Sequence, residues 1–231
     1  WDLEFAPVFQ QGGGFDLQVG NPPWVRPVWH DHLVLAEQDP WWGITDRSSA
    51  AEQRHRRSQG LVEPEGQRPY LAEVASSEGV ASILGSPVLR PVLAGIQTNL
   101  YMVFMDTAWK QISGIGIAGL LHQEAHFVDP KASDLRRESY RRLRLHVHFV
   151  NELPLFEDIK DHKSFGLCVY GASRSPSFLQ LSWIVHPETV GASLSHDGGG
   201  TAPTIQYPEG GWDLRPHSTR VVKVDEEVLS D

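Results

Sequence analysis

The residues best suited to chemistry are Asn21-Pro22-Pro23-Trp24, which follow the strand-like segment 15–20. Asn21 offers a side-chain carbonyl oxygen, and Pro22 aims its backbone carbonyl rigidly because its ring fixes φ. Two such acceptors can receive both hydrogens of a planar exocyclic amine, which frees the nitrogen lone pair for attack on an electrophilic carbon. Trp24 adds a flat face on which a heteroaromatic ring can stack. The tetrapeptide therefore predicts a site that orients a planar amino group as a nucleophile.

Elements of an α/β sheet are predicted around this loop. Alternating apolar and polar residues predict strands, and apolar residues at helical spacing predict helices. We expect Asn99 or Thr98 to cap the first of the two main helices, and Ser133 or Asp134 to cap the second. The main predicted elements are a strand at 15–20, a helix at 99–112, a strand at 114–121, a helix at 133–142, and strands at 143–150 and 164–171. This order predicts an α/β fold whose last strand pair is a hairpin.

Two stretches give weaker patterns. Residues 26–97 show no strong period, although 70–84 has helical spacing and 48–59 is very polar, so we interpret them as an insertion over the active-site face. Residues 178–185 and 219–224 alternate like strands, and 191–208 has the composition of a loop or linker. We therefore predict a domain at 1–171 and an extension at 172–231 that leads toward a following domain.

Composition limits the classes of function. Lys and Arg number 20 and Asp and Glu 29, a formal net charge of −9, which argues against a free-standing domain that grips nucleic acid by charge alone. The sequence contains no apolar run long enough to span a membrane. Its single cysteine, Cys168, fits a reducing compartment, and we predict a cytoplasmic location.

For several other motifs we prefer a structural role over a functional one. Gly114, Gly116 and Gly119 match the spacing of a dinucleotide-binding loop, but they fall inside a predicted strand. The pairs His30/His32 and His146/His148 lack further ligands at fixed spacing, so we predict no metal site.

A run of arginines lies on and after the predicted helix 133–142. Its members are either a solvated helix face paired with Asp134 and Glu138 or contacts for the phosphates of a nucleic acid, and both alternatives stay open. The candidate phosphate-binding residues are Arg136, Arg137, Arg141 and Arg142. The run Arg54-His55-Arg56-Arg57 poses the same choice.

The segment Phe15-Asp16-Leu17-Gln18-Val19-Gly20-Asn21-Pro22-Pro23-Trp24 resembles the strand and Asn-Pro-Pro-aromatic loop of amino-group DNA methyltransferases. The similarity continues through Gln97-Thr98-Asn99-Leu100-Tyr101, the strand at 116–121, Leu153-Pro-Leu-Phe156 and the strand at 164–171. It covers about 16–171 with gaps. The large restriction–modification and phage-defence methylases are the most similar members of the family that we can name.

This resemblance implies the C-terminal half of a Rossmann-like class I methyltransferase sheet. The implied reaction is methyl transfer from S-adenosylmethionine to N6 of an adenine flipped out of double-stranded DNA. Asn21, Pro22, Pro23 and Trp24 would bind the target base, while Asp16 and Gly20 would lie beside the cofactor. The family's main cofactor motif precedes this region. We therefore expect a piece of a longer protein, nearly inactive alone, whose other domains are its partners, with a nuclease module as an open alternative.

Other readings remain. The Asn-Pro-Pro-aromatic pattern also occurs in enzymes that methylate glutamine amides or RNA bases, because all present a planar amine. Cytosine N4 stays an alternative target, although an aspartate or serine in place of Asn21 would favour it more. The chain also fits a non-catalytic DNA-binding scaffold, although an intact Asn-Pro-Pro-Trp favours catalysis. The tetrapeptide is also compatible with a plain turn.

Overall fold

The computed structural model describes residues 3–45, 48–153, 155–156 and 163–230. In chain order its helices and strands are α1 (Ala6–Gly12), β1 (Phe15–Gly20), α2 (Asp31–Ala36), α3 (Trp41–Ile44), α4 (Ala50–Gly60), α5 (Pro64–Leu84), α6 (Leu100–Gln111), β2 (Ile112–His122), α7 (Ala125–Val128), α8 (Ser133–Arg142), β3 (Leu143–Val150), β4 (Ser164–Tyr170), β5 (Ser177–Ile184), α9 (Glu188–Leu194), β6 (Val222–Asp225) and α10 (Glu226–Ser230).

Two compact units are present. One consists of the chain up to Val25 and from Val92 onward, and the other of Arg26–Pro91. The second unit contains α2 to α5 and no strand among its described residues. In it, Arg56 and Arg57 form ion pairs with Asp39 and Asp31, so two members of the second arginine run are paired within their own unit.

The first unit is built on a six-stranded mixed sheet in the order β1-β2-β4-β3-β5-β6. β1 runs parallel to β2, β3 runs parallel to β5, and β4 is antiparallel to both β2 and β3. The predicted α/β fold and the β3–β4 hairpin are confirmed. Four strands, β1, β2, β3 and β5, therefore run in one direction, with β4 antiparallel between β2 and β3 and β6 antiparallel at the edge.

Side-chain alternation separates the two faces of this sheet. On one face, Val147, Phe165, Leu181 and Ile184 form a buried apolar cluster to which Val190 of α9 contributes. On the other face, Tyr170 packs against Trp109 of α6. Helices therefore cover both faces of the sheet.

Local signals explain the elements that were predicted correctly. Asn99 caps α6 by accepting a hydrogen bond from the backbone N–H of Tyr101, as expected. The predicted cap of α8 is wrong, because Ser133 lies inside the helix and the capping position is Ala132, without a side-chain hydrogen bond. The chain enters α8 directly from a 3-10 turn at Pro130–Ala132, which Asp129 caps instead.

The weaker patterns gave mixed results. The strands expected at 178–185 and 219–224 correspond to β5 and to a shorter β6. The loop predicted at 191–208 starts too early, because residues 191–194 complete α9. Pro154, one residue of the resemblance at 153–156, lies outside the described residues. None of the helices in the described part of the chain has the length and apolar character needed to cross a membrane.

Candidate active site

The Asn-Pro-Pro-Trp loop leaves β1 at its carboxyl end. Gly20, the last residue of β1, is paired in parallel with Leu120 of β2, so both chains leave the sheet at the same edge. Asn21 is exposed there, and Pro22 is buried beside it. Ligands of open α/β sheets bind at this edge, so the loop lies where a substrate site is expected.

Trp24 is held in one orientation by a hydrogen bond and by packing. Its indole N–H donates to the carbonyl oxygen of Leu121 at 3.1 Å. Its ring lies 5.9 Å from the Phe165 ring and 6.0 Å from the Phe156 ring. The indole is half-buried, and its remaining surface lines an open cleft. A fixed, half-exposed indole is a surface on which a planar ligand can stack.

This cleft lies entirely within the first unit and has a volume of about 1370 Å³. Its wall combines the aromatic rings of Trp24, Phe127 and Trp183 with the polar side chains of Gln180 and Ser182. Flat apolar faces beside a few hydrogen-bonding groups suit a heteroaromatic ring with polar edges.

A carboxylate with two imidazoles forms part of the cleft wall. Glu124, two residues beyond β2, approaches His146 Nε2 with one oxygen at 2.5 Å and His148 Nε2 with the other at 3.4 Å. Gly166 lies beneath this group, and a Cβ there would come within 3.2 Å of the Glu124 oxygen. The glycine in β4 therefore makes room for the Glu124 side chain. The sequence interpretation of His146 and His148 missed this shared carboxylate.

Behind the cleft, His122 is a buried, neutral base. The Tyr101 and Tyr170 rings stack on it at 5.3 and 6.1 Å. Its Nδ1 lies 2.8 Å from the Gln123 carbonyl, which only accepts, so Nδ1 carries the proton and Nε2 accepts from the Tyr170 hydroxyl at 2.9 Å. Burial lowers the pKa of His122 to about 4.

The single cysteine is also held in its neutral form. Cys168 is fully buried, and this burial raises the pKa of its thiol. A buried thiol that stays protonated is a poor nucleophile. Cys168 therefore serves the packing of the sheet rather than covalent chemistry.

Asp16 and Gly20, the two residues expected beside a cofactor, lie at opposite ends of β1. Three residues lie between them, and four steps along the strand correspond to roughly 13 Å. Asp16 accepts a hydrogen bond from the Ser113 hydroxyl at 3.3 Å. Gly20 directly precedes Asn21, and a Cβ there would make only an ordinary contact with Leu120 at 3.8 Å. Gly20 is therefore the one of the pair that adjoins the loop.

The four candidate DNA-binding arginines divide into two kinds. Arg136 donates to the backbone carbonyls of 126, 127 and 129, and Arg142 pairs with Glu138 at 2.7 Å and lies over the Trp109 ring. Arg137 and Arg141 are exposed, and Arg137 pairs with Asp134 at 3.0 Å on the surface. Both exposed guanidiniums border a small cavity of about 310 Å³.

Two sequence motifs remain. Gly114, Gly116 and Gly119 all lie inside β2, as predicted, and not in a loop between a strand and a helix. Among residues 3–45, 48–153, 155–156 and 163–230, no cluster of three or more His, Cys, Asp or Glu side chains is arranged to hold a metal ion. His30 and His32 make an edge-to-face ring contact at 5.6 Å.

Comparison with known proteins gives neither a family nor a curated relative: no family model matches the sequence, and no curated protein matches it. Solved structures share only a partial likeness in fold. One is the methyltransferase subunit of a type I restriction-modification system from Streptococcus thermophilus, with 10% identity, a TM-score of 0.37, 87% of this chain covered and 30% of that chain.

Two further structures were solved with DNA. The ATP-dependent type ISP restriction-modification enzyme LlaBIII is 13% identical with a TM-score of 0.36, and the match covers 75% of this chain and 10% of that enzyme. The DrdV–DNA complex is 12% identical with a TM-score of 0.37, and the match covers 78% of this chain and 16% of DrdV. The chain thus spans less than a third of the length of each of these three structures, and similarity at this level assigns no function.

Proposed function

We propose that this chain is the catalytic half of a DNA methyltransferase that transfers a methyl group from S-adenosylmethionine to N6 of adenine, within a restriction–modification or phage-defence protein. The single observation that carries the proposal is the position of Asn21-Pro22-Pro23-Trp24. The loop lies at the carboxyl edge of a parallel strand pair, and its aromatic residue faces the large cleft.

In this proposal the loop binds and orients the amino group. The Asn21 side-chain oxygen and the Pro22 carbonyl accept its two hydrogens, so the nitrogen lone pair points out of the plane of the ring and toward the methyl carbon. The new N–C bond would form as the C–S bond of the donor breaks, and the methylated amine, which is then acidic, would lose one proton to water. Because Pro22 is buried and its ring restricts the backbone, its carbonyl needs little reorganisation during the reaction. The Asn21 oxygen is the acceptor that mutagenesis can remove without changing the backbone.

Trp24 supports the ring that carries this amine. Its indole N–H is engaged by Leu121, which leaves the ring face as the surface offered to a ligand. A base within a duplex is out of reach of such a surface, so the target base has to leave the helix first. Stacking on Trp24 then offsets part of the cost of unstacking, at about 1–3 kcal/mol for one base.

The described residues account for only part of a binding site for the methyl donor. Gly20 offers backbone next to Asn21 without a side chain in the way, whereas Asp16 lies at the far end of the strand. When bound, S-adenosylmethionine supplies an electrophilic methyl group on a positively charged sulfur. We propose that Gly20 adjoins this group and that the remaining contacts come from outside the described residues.

Double-stranded DNA is the proposed partner, together with further domains of the parent chain. Arg137 and Arg141 are the stronger candidates for phosphate contact, because both are exposed. Arg136 and Arg142 are engaged in internal hydrogen bonds and an ion pair, so replacing either would perturb the fold as well. The sequence has a net charge of −9, which repels DNA phosphates, so the attraction from these arginines has to be local.

The proposal is tested by transfer of labelled methyl groups. The full natural chain that carries these residues is incubated with duplex DNA and methyl-labelled S-adenosylmethionine, beside Asn21→Ala and Asn21→Asp. Loss of the acceptor in Asn21→Ala should lower the rate by about 100-fold or more. Asn21→Asp keeps an acceptor oxygen and should retain measurable transfer. Equal rates in the wild type and Asn21→Ala would overturn the assigned role.

A further inference from the structure

Trp183 stands out by its backbone conformation. Its φ is +58°, the left-handed region that bulky side chains rarely adopt, and no other non-glycine residue in the described part of the chain has a positive φ. Its side chain is also 50% exposed, although the residue belongs to an interior strand of the sheet. A strained and exposed aromatic residue is unfavourable for folding, and such residues concentrate at binding sites.

A β-bulge accounts for both properties. Val147 of β3 lies opposite Leu181 of β5, but Phe149 lies opposite Ile184, so β5 carries one extra residue between these pairs. Regular alternation from Leu181 would turn Trp183 toward the apolar cluster. The extra residue returns Ile184 to that cluster and leaves Trp183 on the wall of the cleft. Bulges beside functional sites redirect side chains in this way.

Polar contacts hold the bulge in place. The backbone N–H of Trp183 donates to His148 Nδ1 at 3.3 Å, so Nδ1 is the unprotonated nitrogen of that ring. The proton of the neutral imidazole then lies on Nε2, which faces Glu124 at 3.4 Å. Glu124 is fixed in turn by His146. His148 and Glu124 are therefore positioning residues for Trp183.

We propose that Trp183 is a second base-stacking surface of the cleft and takes an unpaired nucleobase of DNA. The proposal rests on the proposed function in taking DNA as the substrate. Ser182 and Gln180, the neighbouring polar residues of the wall, supply hydrogen-bonding groups for the edge of such a base. The Gln180 amide donates to the Ser182 hydroxyl at 2.9 Å, which leaves the Ser182 hydrogen to donate to a ligand.

Binding to single-stranded DNA tests this inference without knowledge of a recognition sequence. The probe is a ten-nucleotide oligo(dA) with one 2-aminopurine, added to the full natural chain without S-adenosylmethionine. Aminopurine quenching and fluorescence anisotropy are measured. Trp183→Ala should weaken binding about ten-fold, as expected for the loss of one stacked base, and Trp183→Phe should stay close to the wild type. Trp212→Ala, which removes an indole that does not line the cleft, should bind like the wild type.

Two comparisons separate ligand contact from a structural role. Trp183→Gly removes the ring and relieves the strained backbone, so it should unfold at a higher temperature than Trp183→Ala and yet bind DNA equally poorly. His148→Ala should weaken binding in the wild type but not in the Trp183→Ala background, because His148 acts through Trp183.

The outcomes distinguish this inference from the proposed function. Methyl transfer by the wild type together with unchanged DNA binding in Trp183→Ala would overturn the inference alone. Binding that depends on Trp183 without any methyl transfer would overturn the proposed function alone. Unlabelled adenosine or S-adenosylhomocysteine is added as a competitor of the oligonucleotide probe. If these nucleosides bind through Trp183 and the oligonucleotide does not, the assignment to a DNA base is wrong.

Discussion

Acid should destabilise this fold through His122, and the effect can be calculated from the structure. The imidazole is fully buried between two tyrosine rings and is neutral in the folded state. Burial lowers its pKa from 6.5 to about 4. His126, in contact with the His122 ring, shifts in the same direction because it is also buried.

The sign follows from proton binding. Above pH 6.5 the imidazole is neutral in both states, and its contribution to stability is complete. As the pH falls from 6.5 toward 4, the unfolded chain binds a proton that the folded chain does not, so the free energy of unfolding decreases. The difference between 6.5 and about 4, at roughly 1.36 kcal/mol for each pH unit, corresponds to about 3 kcal/mol from His122.

Urea unfolding between pH 7.5 and pH 4 measures this loss. His122→Phe keeps a ring between the tyrosines but cannot titrate, so its free energy of unfolding should depend less steeply on pH than that of the wild type. Tyr170→Phe is the matched control, because it removes the hydroxyl that donates to His122 but retains the imidazole and hence the steep dependence. Identical slopes in the wild type and His122→Phe would refute the reasoning.

Three further predictions concern the residues that build the site and its supports. Trp24→Phe keeps an aromatic face but leaves the Leu121 carbonyl without its indole donor, so urea unfolding should show a loss of about 1 kcal/mol with most of the ligand stacking retained. Gly116→Ala should lower the unfolding temperature strongly because its Cβ would overlap the backbone of β1, whereas Gly114→Ala, with open space around its Cβ, should be close to neutral. Asp213 is buried and accepts hydrogen bonds from Arg215, which hold its pKa well below its usual range, so it stabilises the fold above pH 4; Asp213→Asn should destabilise the protein at pH 7, by a margin that shrinks when unfolding is measured at lower pH.

The parts of the fold that local sequence determines were predicted well. The alternation at 15–20, the apolar stripe and cap of α6, and the adjacent strands at 143–150 and 164–171 each appear as expected. Their signals lie within a few residues of the element itself. The Asn-Pro-Pro-Trp loop was identified for the same reason, because two prolines after a strand leave the backbone few alternatives.

The parts that depend on distant contacts were missed. The bulge at Trp183 exists only because β5 pairs with β3, and periodicity in β5 alone gives no sign of an extra residue. The approach of Glu124 to His146 and His148 joins elements more than twenty residues apart. The sequence does contain one signal for Glu124 as a site residue: it closely follows a strand that ends at the predicted ligand-binding edge of the sheet.

The most direct test of the central claim identifies the methylated base. Duplex DNA of mixed sequence is incubated with S-adenosylmethionine and either the full natural chain or its Asn21→Ala variant, and the digested nucleosides are analysed by mass spectrometry. The account predicts N6-methyladenine with the wild type and, after the same time, about 100-fold less or lower with the variant. N4-methylcytosine would leave the mechanism in place and correct the base. An unmodified digest with the wild type would contradict the proposed reaction and bring the glutamine-amide, RNA-base and scaffold readings forward.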